Sequence, residues 1–220
     1  MTKKAKRRGY DSSGRRAAAE ETRQAILDAA RRVFLSRGYA GATMPLIAQE
    51  AGIALDTVYA AAGKKPALFR LLVETAISGQ SDAVPAEKRD YVRAIRAEPD
   101  AAVKLKIYAA AMGAIQPRLA PIFQVLQVAA AQEPDLDALW QEISRRRAAN
   151  MRSLAQDLVA TGQVRSDLTI ARIADIIWSM NAPEYFLLLV EQRGWTLGEF
   201  QLWIADAWIR LLLDSAPKTA

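Results

Sequence analysis

ILDAARRVFLSRGYAGATMPLIAQEAGIALDTVYAAAGKKPALF, residues 26–69, decides how this chain folds. Apolar residues recur at helical spacing through Ile26, Leu27, Ala30, Val33 and Phe34, which predicts an amphipathic helix over roughly Ala17–Arg37. Gly38 is expected to end it, supplying the left-handed conformation that other residues adopt only at a cost. Thr43 stands where an N-cap belongs, and Pro45 is tolerated in a first helical turn, so a second helix is expected over Met44–Ala51. Gly52 makes a tight turn, and Leu55–Ala61 forms a third helix. Two short helices joined by a glycine turn constitute a helix-turn-helix, whose second helix can enter the major groove of DNA.

Charge is distributed to match. Residues 1–70 hold 14 Lys and Arg against 6 Asp and Glu, whereas residues 71–220 hold 16 against 18. The basic excess therefore sits with the helix-turn-helix, where a phosphate backbone would need it. Residues 1–16 are rich in Lys, Arg, Ser and Gly with almost no apolar content, so they read either as a solvated tail or as a basic arm that follows the duplex. Lys3, Lys4, Lys6, Arg7 and Arg8 would be the contacts.

Composition removes several chemistries. The chain has 220 residues and neither Cys nor His. Disulfides, thiolate metal sites, zinc sites with histidine ligands and His-based catalytic triads are excluded. No cofactor or metal is expected, no catalytic residue stands out, and an enzyme is the weakest reading. No apolar run approaches the ~20 residues that a membrane-spanning helix requires, so a cytoplasmic protein without membrane contact is expected.

Beyond Lys65 the periodicity stays helical. Helices are expected from about Pro66, then over Ala86–Ala97, Asp100–Ile115, Arg118–Ala131, Asp135–Thr161, Thr169–Gln192 and Leu197–Asp214. Prolines at 99, 117, 121 and 134 punctuate the starts and joins. No alternating strand pattern or repeat intervenes. The expected fold is all-α: a basic arm over residues 1–16, an N-terminal three-helix helix-turn-helix domain over residues 17–63, and a larger C-terminal helical bundle over residues 64–220.

The N-terminal pattern resembles the TetR family of bacterial transcriptional regulators. The resemblance rests on Ile26, Leu27, Ala29, Ala30, Phe34, Gly38, Tyr39, Thr43, Ile47, Ala48, Ala51, Gly52, Ile53, Thr57, Tyr59, Lys65 and Leu68 at fixed spacing. It implies that Thr43, Tyr59 and Lys65 hold the DNA backbone, with Lys64 beside them, although Tyr59 could instead be a core aromatic and Lys65 an ordinary solvated lysine. Leu55, Asp56, Thr57, Ala60 and Ala61 are the candidates to face bases. None is an Arg, Lys, Asn or Gln able to make a bidentate base contact, so readout would be apolar or led by DNA shape. The sequence departs from the family pattern at Ala54, where a capping Ser is usual, and at Ala62, where an aromatic is usual.

The resemblance also implies a homodimer through the last two helices, which carry more apolar surface than one face can hide. Ile177, Leu188, Trp203, Ala207, Trp208 and Leu211 are the expected interface, the alternative being that these helices fill a monomer core. A small-molecule effector would bind between the two regions. Tyr108, Met112, Phe123, Trp140, Met151, Trp178 and Asn181 are candidates to line its site, although such residues are more often plain core. The expected function is a ligand-responsive, DNA-binding transcriptional regulator, a repressor released from a palindromic operator on double-stranded DNA. A constitutive DNA-binding or architectural protein with a solid core is the alternative.

Overall fold

The computed structural model describes residues 12–80 and 84–214. Ten α-helices occur among them, and the only pairing of extended backbone there is one isolated antiparallel bridge between Val164 and Leu213. The fold is all-α. The lysines and arginines of the expected arm, residues 3–8, lie outside the described residues. Residues 12–16 are already helical, so the first helix begins earlier than Ala17.

Helix α1 (Ser12–Gly41) is kinked at the stop expected after Arg37. Gly38 interrupts it with φ 65° and ψ 179°, and one further turn closes at Gly41. Then come α2 (Met44–Ala51), α3 (Leu55–Ala62) and α4 (Lys65–Ser78). Phe34, Tyr39 and Phe69 knit α1 to α4, with ring centroids 4.8 Å apart for Phe34–Phe69 and 5.3 Å for Tyr39–Phe69, both edge to face. Ile47, Ala48 and Val58 complete this small core.

A turn of 3₁₀ helix at Ala86–Lys88 precedes α5 (Asp90–Ala97), where one continuous helix was expected. The centre of the larger bundle is α6 (Ala101–Ala130). Its buried residues, from Leu105 and Tyr108 to Ile122, Phe123 and Leu126, fall around much of its circumference, as a helix enclosed on several sides requires. It packs against α1, α4, α5, α7 (Pro134–Val159), α9 (Pro183–Phe186) and α10 (Leu197–Leu212).

Two expected boundaries are corrected. The sequence predicts separate helices meeting near Pro117, yet α6 runs through with Pro117 and Pro121 inside it. Pro121 has no N–H for the Pro117 carbonyl, which would ordinarily weaken the helix. The Arg31 guanidinium supplies a substitute, donating to the Pro117 carbonyl at 3.3 Å and to the Arg118 carbonyl at 2.6 Å. Conversely, the single helix expected over Thr169–Gln192 is divided. Helix α8 (Ile170–Met180) stops at Asn181, and α9 starts at Pro183 and runs into a π-helical turn over Leu187–Gln192. Pro183 drives its predecessor away from helical geometry, and Ala182 accordingly sits at φ −65°, ψ 141°.

No single helix among the described residues is long and apolar enough to cross a membrane. The bent pair made by α8 and the segment Pro183–Gln192 has the length and composition, but its Ile173, Ile177 and Phe186 are buried inside the bundle.

Gly113 of α6 lies directly under the Gln201 side chain of α10. A Cβ at this position would lie 1.9 Å from Nε2 of Gln201. Gly113→Val should therefore cost about 1–3 kcal/mol by overpacking. Adding Gln201→Ala should recover part of that loss in chemical denaturation; a double variant no better than the single one would place the strain elsewhere.

Candidate nucleic-acid interface and internal cavity

The helix-turn-helix is built by capping. Thr43 Oγ1 accepts from the Leu46 N–H at 3.3 Å, opening α2. Gly52 closes it in the left-handed region (φ 66°, ψ 27°), its N–H directed to the carbonyls of Ala48 and Gln49, while Ile53 N–H reaches the Ala48 carbonyl. These paired bonds turn the chain at once, and only glycine adopts that conformation without strain. Arg32 and Glu50, 2.6 Å apart, tie α1 to α2 across the surface.

Helix α3 turns Val58 fully inward, with Leu55, Ala61 and Ala62 half-buried against the same core. Asp56, Thr57, Tyr59 and Ala60 face outward together. Leu55 and Ala61, expected on the outward face, serve mainly to seat the helix. Tyr59 is 42% exposed, which excludes the core-aromatic alternative. Ala54 offers no side-chain cap, so the departure noted at that position leaves α3 without that hydrogen bond.

The N-termini of α2 and α4 adjoin this face, and helix N-termini carry unpaired N–H groups and partial positive charge. Thr43 is exposed at the first. Lys64 is exposed at the second, next to Lys65, whose ammonium lies 4.1 Å from the centre of the Tyr39 ring. Lys65 is thus not simply solvated: burial lowers its pKa from the ordinary lysine value, and the ring holds the charge in place.

The larger bundle holds a partly open cavity of about 540 Å³, within the range of small-molecule sites. It is walled by the 3₁₀ turn, α4, α5, α6, α7 and the α8–α9 corner. Four candidates meet there: Tyr108, Met112, Met151 and Asn181. Asn181 is buried at the α8–α9 corner and organises the polar wall. Its Nδ2 donates to Tyr108 Oη at 2.6 Å and to Met151 Sδ at 3.0 Å, and its Oδ1 accepts from Arg147 at 2.7 Å. Burial pushes the Tyr108 phenol well above its usual pKa, keeping it a neutral hydroxyl. Phe123 and Trp140 pack on each other with centroids 4.7 Å apart and do not line the cavity. Trp178 lies outside it, with the Arg147 guanidinium 4.9 Å from its ring centre.

Several cavity residues escape sequence reading, chiefly Gln116, Arg89, Arg96 and Arg147. For Arg147 a signal exists. Ile143, Arg147 and Met151 are spaced i, i+4, i+8, so Arg147 occupies the inward stripe of α7 rather than its solvated face. Lys104 shows the same pattern on α6. It is 3% exposed and donates to Asp157 at 2.9 Å and to the Ile95 carbonyl at 2.6 Å.

The expected dimer residues divide. Ile177, Ala207 and Trp208 are buried within a single subunit, and Trp208 stacks on Tyr108 at 5.4 Å. They belong to the monomer core, which corrects the interface expected from sequence. Leu188, Trp203 and Leu211 are exposed, as is Leu202 at 75%. Trp203 is oriented by a 2.8 Å hydrogen bond from its indole N–H to Tyr185 Oη.

A basic N-terminal helix-turn-helix is joined here to a larger, cavity-bearing helical bundle. Residues 26–72 match the model of the family described as bacterial regulatory proteins, tetR family. Most of the chain shares its fold with solved structures of transcriptional regulators. A Mesorhizobium loti protein assigned as a TetR-family transcriptional regulator is 19% identical, with a TM-score of 0.59 over 89% of this chain and 98% of that one. NalD of Pseudomonas aeruginosa, the secondary repressor of the MexAB-OprM multidrug efflux pump, is 18% identical, with a TM-score of 0.65 over 90% of this chain and all of that one (100%). A transcriptional regulator from Saccharomonospora viridis, solved with choline, is 16% identical, with a TM-score of 0.66 over 89% and 99% of the two chains. No curated protein sequence matches the chain.

Proposed function

We propose that this chain is a homodimeric, ligand-responsive DNA-binding regulator of the cytoplasm, a repressor that leaves its operator when a small molecule fills the cavity. One observation carries the reading: α6 serves both halves of the chain. Its Ile115, Gln116 and Leu119 line the cavity. On the adjoining positions, the Pro117 and Arg118 carbonyls are held by Arg31 of α1, and Arg118 Nε donates to the Ala76 carbonyl of α4 at 3.2 Å. A shift of α6 about a bound molecule is thus transmitted to both helices that carry α2 and α3. The cavity also argues against the solid-core, constitutive alternative.

The ligand acts by its differential affinity for two subunit arrangements, one of which spaces the two α3 helices badly for the operator. Asp56, Thr57, Tyr59 and Ala60 face the groove, and Thr43, Lys64 and Lys65 hold phosphates at two helix N-termini. The test is selection of bound duplexes from a random pool. Recovery of a palindromic site bound by two chains supports the reading, and absence of any sequence preference overturns it.

On that duplex, Lys64→Ala should lower the slope of log affinity against log salt by about one unit, uniformly across operator variants. Stability should be unchanged, because Lys64 is exposed. Lys65→Ala should lower the slope similarly and also destabilise the fold by about 0.5–1 kcal/mol through loss of the Tyr39 contact. A change in preference at one base pair would reassign either lysine to base reading.

A further inference from the structure

Two groups in the cavity wall are left chemically incomplete by the protein itself. Arg147 is half-buried, and burial lowers its pKa from the ordinary arginine value, although a guanidinium stays charged. Its partners are all neutral: Asn181 Oδ1 at 2.7 Å, the Trp178 carbonyl at 3.1 Å and the Trp178 ring. None of the ion pairs among the described residues includes it. Glu184 acts on it electrostatically but forms no ion pair with it; a partly desolvated charge without a paired carboxylate is costly to hold, and a ligand anion would lessen that cost.

Gln116 is the second. It is 2% exposed, and its Nε2 donates to the Asn181 carbonyl at 2.7 Å. That bond fixes the amide, since the flipped form would set two oxygens against each other. Its Oε1 is then left buried with no donor, which is unfavourable for such a group. Both residues contact Asn181, so the two subsites adjoin. The charged lining is also biased, with four arginines against Glu87 and Asp157. Glu74 pairs with one of those arginines, Arg146, and Lys104 with Asp157.

We infer that the cavity takes an anionic amphiphile: a carboxylate against Arg147, a hydroxyl or N–H near that carboxylate donating to Gln116 Oε1, and an apolar body over Met112, Ile115 and Leu119. This rests on the reading of the cavity as an effector site and narrows it to a ligand class. A cation such as the choline of the Saccharomonospora viridis neighbour would meet Arg147 across the same space.

The experiment uses the full chain and four matched probes: 2-hydroxy-4-phenylbutanoate, 4-phenylbutanoate, 4-phenylbutanamide and 4-phenylbutylammonium. Binding is followed by calorimetry and release of the selected duplex by anisotropy. The hydroxy acid should bind at least tenfold more tightly than the amide or the ammonium, and several-fold more tightly than the plain acid. Arg147→Gln should abolish the preference for acids and Arg147→Lys should keep part of it, with circular dichroism confirming that both fold. Gln116→Met should abolish only the advantage of the hydroxyl. Equal or better binding of the amide or ammonium, or no binding by any probe, overturns the anion assignment. If a neutral or cationic probe binds and releases DNA, the effector reading survives that failure. Saturation by the acids without any release of DNA would instead overturn the effector reading.

Discussion

Trp208→Ala should unfold the subunit rather than separate a dimer. The indole is among the largest fully buried side chains, stacked on Tyr108 and enclosed where α10 meets α6. Removing a buried Trp costs about 3–5 kcal/mol, a large share of the ~5–15 kcal/mol that holds a typical domain together. Trp208→Arg adds a buried charge and should yield little folded protein. Trp208→Phe should be far milder, about 1–2 kcal/mol, because it keeps a ring and discards an indole N–H that has no partner. Chemical denaturation with near-UV circular dichroism would decide. A Trp208→Arg variant that is folded and monomeric would return this residue to the subunit interface.

Leu188→Arg combined with Leu202→Arg should do what the Trp208 variants do not, giving a folded monomer. Both side chains are exposed on one subunit and near its C-terminal end, Leu202 more so than Leu188. In a two-fold interface each substitution acts twice. Counting the exposed fraction of each leucine at ~25 cal/mol per Å² gives about 5 kcal/mol lost per subunit and about 10 kcal/mol over the four positions, about 10⁷ in Kd. Affinity for a palindromic duplex should fall with the dimer, because a single helix-turn-helix then reads one half-site. Sedimentation at micromolar concentration is the measurement. A variant that remains dimeric would place the interface on another face, and a monomeric wild type would remove it.

Legibility differed along the chain for physical reasons. The helix-turn-helix is dictated locally: Thr43 caps α2, Gly52 turns the chain, and short helices follow from apolar spacing within a few residues. Those signals need no distant partner, and the boundaries of α2 and α3 fall within a residue of expectation. Prolines were less readable. Pro117 and Pro121 look like breaks, yet α6 continues because Arg31, more than eighty residues earlier in the chain, supplies donors to the carbonyls around them. Pro183 does break its helix: Ala182 before it is extended, and the Trp178 and Asn181 carbonyls at that corner accept from Arg147 and Gln116 instead of from a continuing helix.

The sequence by itself determined the all-α class, the helix-turn-helix and the siting of basic charge beside it, because each follows from residue type and short-range spacing. It also marked Tyr108, Met112, Met151 and Asn181 as large or polar groups in the apolar runs of the bundle. Only the tertiary structure decided which of them meet around a cavity and which, like Phe123, fill the core. It alone separated Trp208, buried in the subunit, from Leu188 and Leu211, left exposed on it, since periodicity reports that a face is apolar and not what covers it. The charge of Arg147 and the open acceptor of Gln116 likewise depend on neighbours from other helices, which is why the cavity's chemistry emerges only where α6, α7 and the α8–α9 corner converge.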